Sequence, residues 1–284
     1  ACTDGIEWNS TIVIGGRPGS FKTGLKDQIV RESFKLNPGE DFRVLEFSLE
    51  MVSRVSAIRE YSSVLGRSYK YLCSADGKLS PADLERCYQH AKERVKYPID
   101  IVEDAPDVEE FIAIVTGYME AHATTDGSKK TYKKTIITLD HTILIKKGKS
   151  TELIMLYDLG RALTDLKRKY PIIFIILSQL NRNVDTPERN EDGRYGNYIL
   201  GSDFFGGDAL LQHADVQIGL NRPAMQKIRF YGPDRYMIED ERVLVMHFLK
   251  PRNGNNRMRF LKTEFDKSKG CEMSTPPTQT RKAK

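Results

Sequence analysis

Three features of the sequence predict an α/β fold, a mostly parallel central sheet flanked by helices. Short apolar runs alternate with stretches of helical period. Two runs, TIITL at 135–139 and IIFIIL at 172–177, carry apolar residues at consecutive positions, as strands covered on both faces do. The first run, Ile12-Val13-Ile14, ends in Gly15-Gly16 and leads through Arg17-Pro18-Gly19-Ser20-Phe21 into Lys22-Thr23, where a helix begins.

The pattern gives strands at 11–14, 43–48, 99–103, 135–139, 172–178 and 216–220, with helices at 22–36, 52–65, 81–96, 108–122 and 152–170 between them. The third helix has a start signal: Ser80 can cap, Pro81 suits the first turn and Asp83 complements the helix dipole. The last third is richer in strand. Runs at 225–230, 236–238, 242–249 and 257–262, separated by polar turns, read as antiparallel hairpins on the sheet edge. Residues 124–134 read as a hydrophilic connector and 181–208 as a long polar loop. The expected domain runs over 1–267, with 268–284 as a disordered basic tail.

At 284 residues, 39% hydrophobic and 29% charged, the composition is that of a soluble globular protein. No apolar run reaches the ~18 residues of a membrane span, and no secretory signal precedes the first strand. Cys2, Cys73, Cys87 and Cys271 lack C-x-x-C spacing, which argues against a zinc or disulfide framework and for a reducing cytoplasm. A net charge of +5 permits a nucleic-acid partner without demanding one.

The glycine-rich turn suits a nucleotide triphosphate. Backbone N–H groups and a helix N-terminus face phosphates, Lys22 neutralises them, and the Thr23 hydroxyl can hold Mg²⁺. Gly16 fits the first glycine of G-x-x-x-x-G-K-[ST], but Phe21 stands at the second. Glu50 follows a strand end, where a carboxylate can deprotonate a water attacking a γ-phosphate; on position alone a solvent-facing helix-start glutamate is the better fit. Asp140 closes the most apolar strand, either as a Mg²⁺-side carboxylate or as a strand terminator. Gln179 ends another strand and could sense a γ-phosphate. Lys250 and Arg252, two positions apart where a strand enters a turn, are a solvated basic turn or cations that reach a neighbouring subunit's nucleotide.

Taken in order, these segments resemble the C-terminal motor domain of the DnaB-like replicative helicases, hexameric ATPases with a RecA-like P-loop fold. The carriers are the Arg-Pro phosphate loop, FSLEM at 47–51, the strand ending at Asp140, SQLNR at 178–182, HADV at 213–216 and LKPRNG at 249–254. The resemblance spans residues 11–265 and implies ATP and Mg²⁺ as cofactors. Gly16, Arg17, Pro18, Gly19, Ser20, Phe21, Lys22 and Thr23 would form the phosphate loop, and Thr23 and Asp140 the metal side. Glu50 would be the catalytic base, Gln179 the couple between nucleotide and DNA, and Lys250 and Arg252 would complete the adjacent subunit's site.

The implied partners are single-stranded DNA, further copies of the chain in a ring, and a primase or helicase loader; the implied setting is a bacterial or phage-infected cytoplasm. Lys146, Lys147 and Lys149, with backbone amides at Phe205, Gly206 and Asp208, would follow the DNA phosphates. On residues alone the lysines read equally as a solvated charge run, and Phe204-Phe205 as loop-anchoring core. The sequence departs from the family at Phe21 and at His141-Thr142. Two other readings follow: an assembly module that binds nucleic acid but hydrolyses ATP poorly because Phe21 spoils the loop, or a RecA-like recombination ATPase.

Overall fold

The computed structural model describes residues 5–50, 53–75, 77–190, 198–206, 208–250, 257–264 and 268–280. In chain order the elements are β1 (Ser10–Gly16), α1 (Lys22–Leu36), β2 (Phe42–Ser48), α2 (Ser53–Leu65), α3 (Tyr69–Cys73), α4 (Pro81–Arg94), β3 (Ile99–Val102) and α5 (Val108–Ala121). Next come β4 (Thr124–Asp126), β5 (Lys129–Thr131), β6 (Lys134–Asp140), α6 (Glu152–Lys169), β7 (Ile172–Gln179), α7 (Pro187–Asn190) and α8 (Asp208–Leu211). The last third holds β8 (Val216–Asn221), β9 (Phe230–Tyr231), β10 (Tyr236–Met237), β11 (Val243–Lys250), β12 (Arg257–Glu264) and β13 (Lys269–Glu272).

Nine strands form the main sheet in the order β13-β12-β11-β8-β1-β7-β6-β2-β3. The six from β8 to β3 are parallel, and β11, β12 and β13 add an antiparallel edge. The consecutive apolar runs follow from the two-residue period of a strand. On β7, Ile172, Phe174 and Ile176 join a core with α5 and α6, while Ile173, Ile175 and Leu177 join a second core with α1. Val13 and Ile12/Ile14 of β1 divide in the same way. Both faces of the central strands β8, β1, β7 and β6 are covered, so this part of the sheet is a buried layer. Ser80 caps α4 as expected and forms a capping box with Asp83, and Asp107 and Glu110 form another on α5.

Three regions correct the sequence reading. Residues 225–230 are not a strand: Pro223, suited to a first helical turn, opens a 3₁₀ turn over Pro223–Gln226, and only Phe230–Tyr231 pair. The 124–134 connector contains the β4–β5 hairpin, turned at Gly127 with φ 58°. The expected disordered tail instead supplies β13, which pairs with β12, and a return in which Met237 N–H donates to Thr278 C=O at 2.8 Å. This polar segment is held mainly through its backbone. The Gln28 side-chain amide accepts from Gly270 N–H at 3.0 Å and donates to Gly270 C=O at 2.9 Å.

Buried in β11, His247 Nε2 lies 2.6 Å from the Tyr231 hydroxyl, and burial pushes its imidazole down to about 3. The unfolded chain takes up a proton below about pH 6.5 that the folded chain refuses, so stability falls as pH drops through that window. At about 1.4 kcal/mol per pH unit, His247 alone removes about 2 kcal/mol by pH 5. Urea unfolding at pH 7 and pH 5 should show a drop that is smaller by this amount in His247→Gln.

Candidate nucleotide site at the carboxyl rim of the sheet

Register places the candidate residues on one rim. Gly16 ends β1 opposite Gln179 on β7 and Leu220 on β8; Asp140 ends β6 opposite Ser48 on β2, two residues before Glu50. Leu49 N–H donates to Asp140 C=O at 3.0 Å, which fixes the turn that carries Glu50. In open α/β sheets this rim is where ligands sit.

The loop between β1 and α1 leaves helix donors facing the rim. Residue Phe21 occupies the N-cap position of α1, which has no side-chain cap and no acid in its first turn. The first N–H groups of α1 are therefore not satisfied by a cap, the arrangement that favours an anion. The loop needs Gly16: a Cβ there would stand 2.1 Å from Ser20 Oγ. Lys22 is buried, and its Nζ donates to the carbonyls of Gly16 at 2.9 Å and Arg17 at 3.3 Å. Burial lowers its pKa, opposed by Asp140 and Glu50.

Phe21 adopts the left-handed conformation, φ 75° and ψ 16°, but its ring does not fill the cradle. It is 5% exposed and packs in the core with Ile12, Ile14 and Val30. Gly24 and Gly270 make the room: a Cβ would approach the ring to 2.2 Å at the first and 2.8 Å at the second. The ring is therefore turned away from the loop that the assembly-module reading requires it to spoil.

Asp140 is 2% exposed, and burial raises its pKa, opposed by Lys26 and by a hydrogen bond from the Thr23 side chain. Its Oδ1 is buried without a hydrogen-bond partner among the described residues, as is Ser20 Oγ. A buried carboxylate oxygen left unpaired beside a threonine hydroxyl fits a hard cation such as Mg²⁺, which keeps waters and phosphate oxygens as its other ligands. Glu50 is half exposed at the mouth, with Oε2 3.8 Å from His141 Nε2; His141 Nε2 is 3.2 Å from the Gln179 side-chain amide. Burial lowers the His141 pKa, against Glu50 and Asp140.

Four residues with roles here escaped the sequence reading. Lys26 is buried on α1, one turn past Lys22, and pairs with Asp27 at 2.7 Å and Glu46 at 3.9 Å. Burial works against its charge, and Asp27 and Glu46 outweigh it, so Lys26 stays protonated beside Asp140. The signal was a lysine at i+4 on the stripe that also buries Val30. Asp185 binds Arg17 Nε at 2.7 Å and Gln226 Nε2 at 2.6 Å, closing one side of a cavity of about 380 Å³ beside the loop, also lined by Asn221, Arg222 and Met225. Gln28 and His141 are the others; His141 showed only as a departure from the family pattern.

The remaining sequence candidates divide. Lys146, Lys147 and Lys149 are exposed after β6 on the same rim, with Lys146 Nζ 3.9 Å from Glu110. Phe204 is core, its ring lying where a Cβ on Gly15 would be 2.3 Å away. The Phe205 amide is not open to a phosphate as expected, because it donates to Gln179 C=O at 2.9 Å. Gly206 follows with φ 73°, and Asp208 opens α8. Lys250 pairs with Gln217 at the far end of β8, so it does not join this chain's own Lys22 cluster. Arg252 lies outside the described residues.

Across residues 1–268 the sequence matches the family model described as the DnaB-like helicase C terminal domain. The chain belongs to this family. No curated protein matches it by sequence. Among solved structures, the DnaB-like chain is similar to one described as an ATPase domain, with TM-score 0.73, 18% identity, and 94% of this chain and 85% of that one covered. It is also similar to a DnaB-like replicative helicase solved for its interactions with primase, with TM-score 0.71, 18% identity, and 93% of this chain covered; it spans only 57% of that helicase. A KaiC-like protein, PH0186 from Pyrococcus horikoshii OT3, follows at TM-score 0.51 and 15% identity, with 95% and 91% covered. These likenesses show the RecA-like fold of this DnaB-like domain. Among the described residues, no helix is long and apolar enough to cross a membrane.

Proposed function

We propose that this domain is an ATP-hydrolysing replicative helicase motor that moves along single-stranded DNA as a ring. The observation that carries the reading is the gathering of Lys22, Thr23, Asp140 and Glu50 on one rim beside an uncapped helix start. Lys22 turns Nζ from the loop carbonyls to the phosphates, and the first amides of α1 hold their oxygens. Thr23 and Asp140 would hold Mg²⁺, and the ion would neutralise charge on the phosphates. Glu50 takes the proton of the attacking water, and Gln179 contacts the γ-phosphate. The cavity lined by Arg17 and Asp185 beside the loop would receive the nucleoside end.

Lys250 sits at the opposite rim, so its part in hydrolysis is played in a neighbour's site, with Arg252 beside it in sequence. Lys146, Lys147, Lys149, Gly206 and Asp208 follow the DNA backbone, giving salt-dependent binding with little sequence preference. Contact with a primase or loader is proposed by likeness to the helicase solved for that interaction. The test is ATPase activity with and without single-stranded DNA. Wild type should be stimulated by DNA, and Lys22→Ala should lose ATP binding and turnover by at least about 100-fold, as expected when charge stabilisation of the transferring phosphoryl is removed. Turnover of Lys22→Ala within a few-fold of wild type would remove the phosphate role.

A further inference from the structure

We propose that Arg189 and Asp203 form a buried clasp that positions the 201–206 segment against Gln179 and so sets how strongly DNA stimulates turnover; this rests on the ATPase reading above. Residues 203–205 run antiparallel to 179–181. Leu180 and Phe204 pair as a bridge, Asn181 N–H donates to Asp203 C=O at 2.6 Å, and Phe205 N–H donates to Gln179 C=O at 2.9 Å. The Asn181 side-chain amide adds bonds to the carbonyls of Ser202 at 3.4 Å and Phe204 at 3.3 Å. This short ladder joins the strand end that carries Gln179 to the segment that leads into Gly206 and Asp208.

Asp203 belongs to the ladder through its carbonyl and to the clasp through its carboxylate, and the residue is 3% exposed. Its Oδ1 accepts from Arg189 Nη1 at 2.8 Å, and its Oδ2 accepts from Arg189 Nη2 at 3.0 Å and Leu200 N–H at 2.7 Å. Arg189 Nη2 also donates to Tyr198 C=O at 2.6 Å. One guanidinium from α7 thus grips both ends of 198–203. A two-pronged arginine–carboxylate pair fixes distance and angle together, which a single lysine contact does not. Removing one partner leaves the other's charge uncompensated in the interior, so residue 203 shifts and carries its rung of the ladder with it. Neither residue is among the groups proposed to hold nucleotide or DNA, so the pair acts through the backbone of 179–181.

Asp203→Asn keeps the shape but not the charge, and Arg189→Lys keeps the charge but not the fork. In the full chain at saturating single-stranded DNA, each should lower kcat at least about fivefold, within the range by which residues between coupled sites alter the coupling. Without DNA, kcat and KM for ATP should stay within about threefold of wild type. The double variant should lose no more than the worse single variant, as two groups acting as one unit do. Thermal melting reports the fold separately, and Arg189→Lys carries the test where Asp203→Asn does not fold. Full DNA stimulation in folded variants with lowered melting temperatures would reduce the pair to a structural contact and overturn the proposal. An equal fall with and without DNA, or losses that multiply in the double variant, would overturn it too. A wild-type chain that binds no ATP would instead bring down the ATPase reading, and this proposal with it.

Discussion

Glu50→Gln should lower DNA-stimulated turnover by about 10²–10⁴-fold while leaving ATP affinity close to wild type, the range expected when a general base is removed. The side chain is half exposed and lies 3.8 Å from His141 Nε2, so an amide of the same shape disturbs little packing. The Leu49–Asp140 backbone hydrogen bond holds the turn whichever side chain stands at 50. The effect should therefore fall on kcat, read by steady-state ATPase, with calorimetric ATP binding as the control. Turnover near wild type would transfer the base role to another group and leave Glu50 as a solvent-facing glutamate.

Phe21→Gly should cost stability and bring no gain in ATP affinity. The family pattern has glycine here, and on sequence alone the substitution looks like a repair. The geometry reverses that expectation. Deleting a buried phenylalanine costs about 3–5 kcal/mol, while relieving a left-handed non-glycine returns about 1–2, a net loss of about 1–4 kcal/mol. The melting temperature should fall by roughly 2–16 °C, at about 2–4 °C per kcal/mol for a chain of this size. Calorimetry on the same variant checks the second half: an ATP affinity raised tenfold would mean that the ring obstructs the cradle after all.

Much of the sheet was legible because its signal is local. A strand buried on both faces must be apolar at consecutive positions, so β6 and β7 announced themselves, and the glycines after β1 marked the turn at the rim. The C-terminal edge was harder. Pro223 outweighed the strand-like composition of 225–230, and β13 is held by backbone pairing and one glutamine that leave no hydrophobic pattern in 268–280. In the site, the carboxylates and Lys22 could be named because strand ends set their rim. What Phe21 does depends on Gly270, distant in sequence, and the His141 contacts depend on residues from two other strand ends. No local pattern encodes either.

In the proposed motor, Lys22, Thr23, Asp140 and Glu50 would surround one Mg²⁺-bound triphosphate. Isothermal titration with ATP, with and without Mg²⁺, on wild type and Asp140→Asn tests it most directly. Binding should be at least about tenfold tighter with Mg²⁺ in wild type, an advantage lost in Asp140→Asn because a hard cation loses its charged oxygen ligand. Equal affinity with and without Mg²⁺, or a Mg²⁺ advantage that persists in Asp140→Asn, would contradict it.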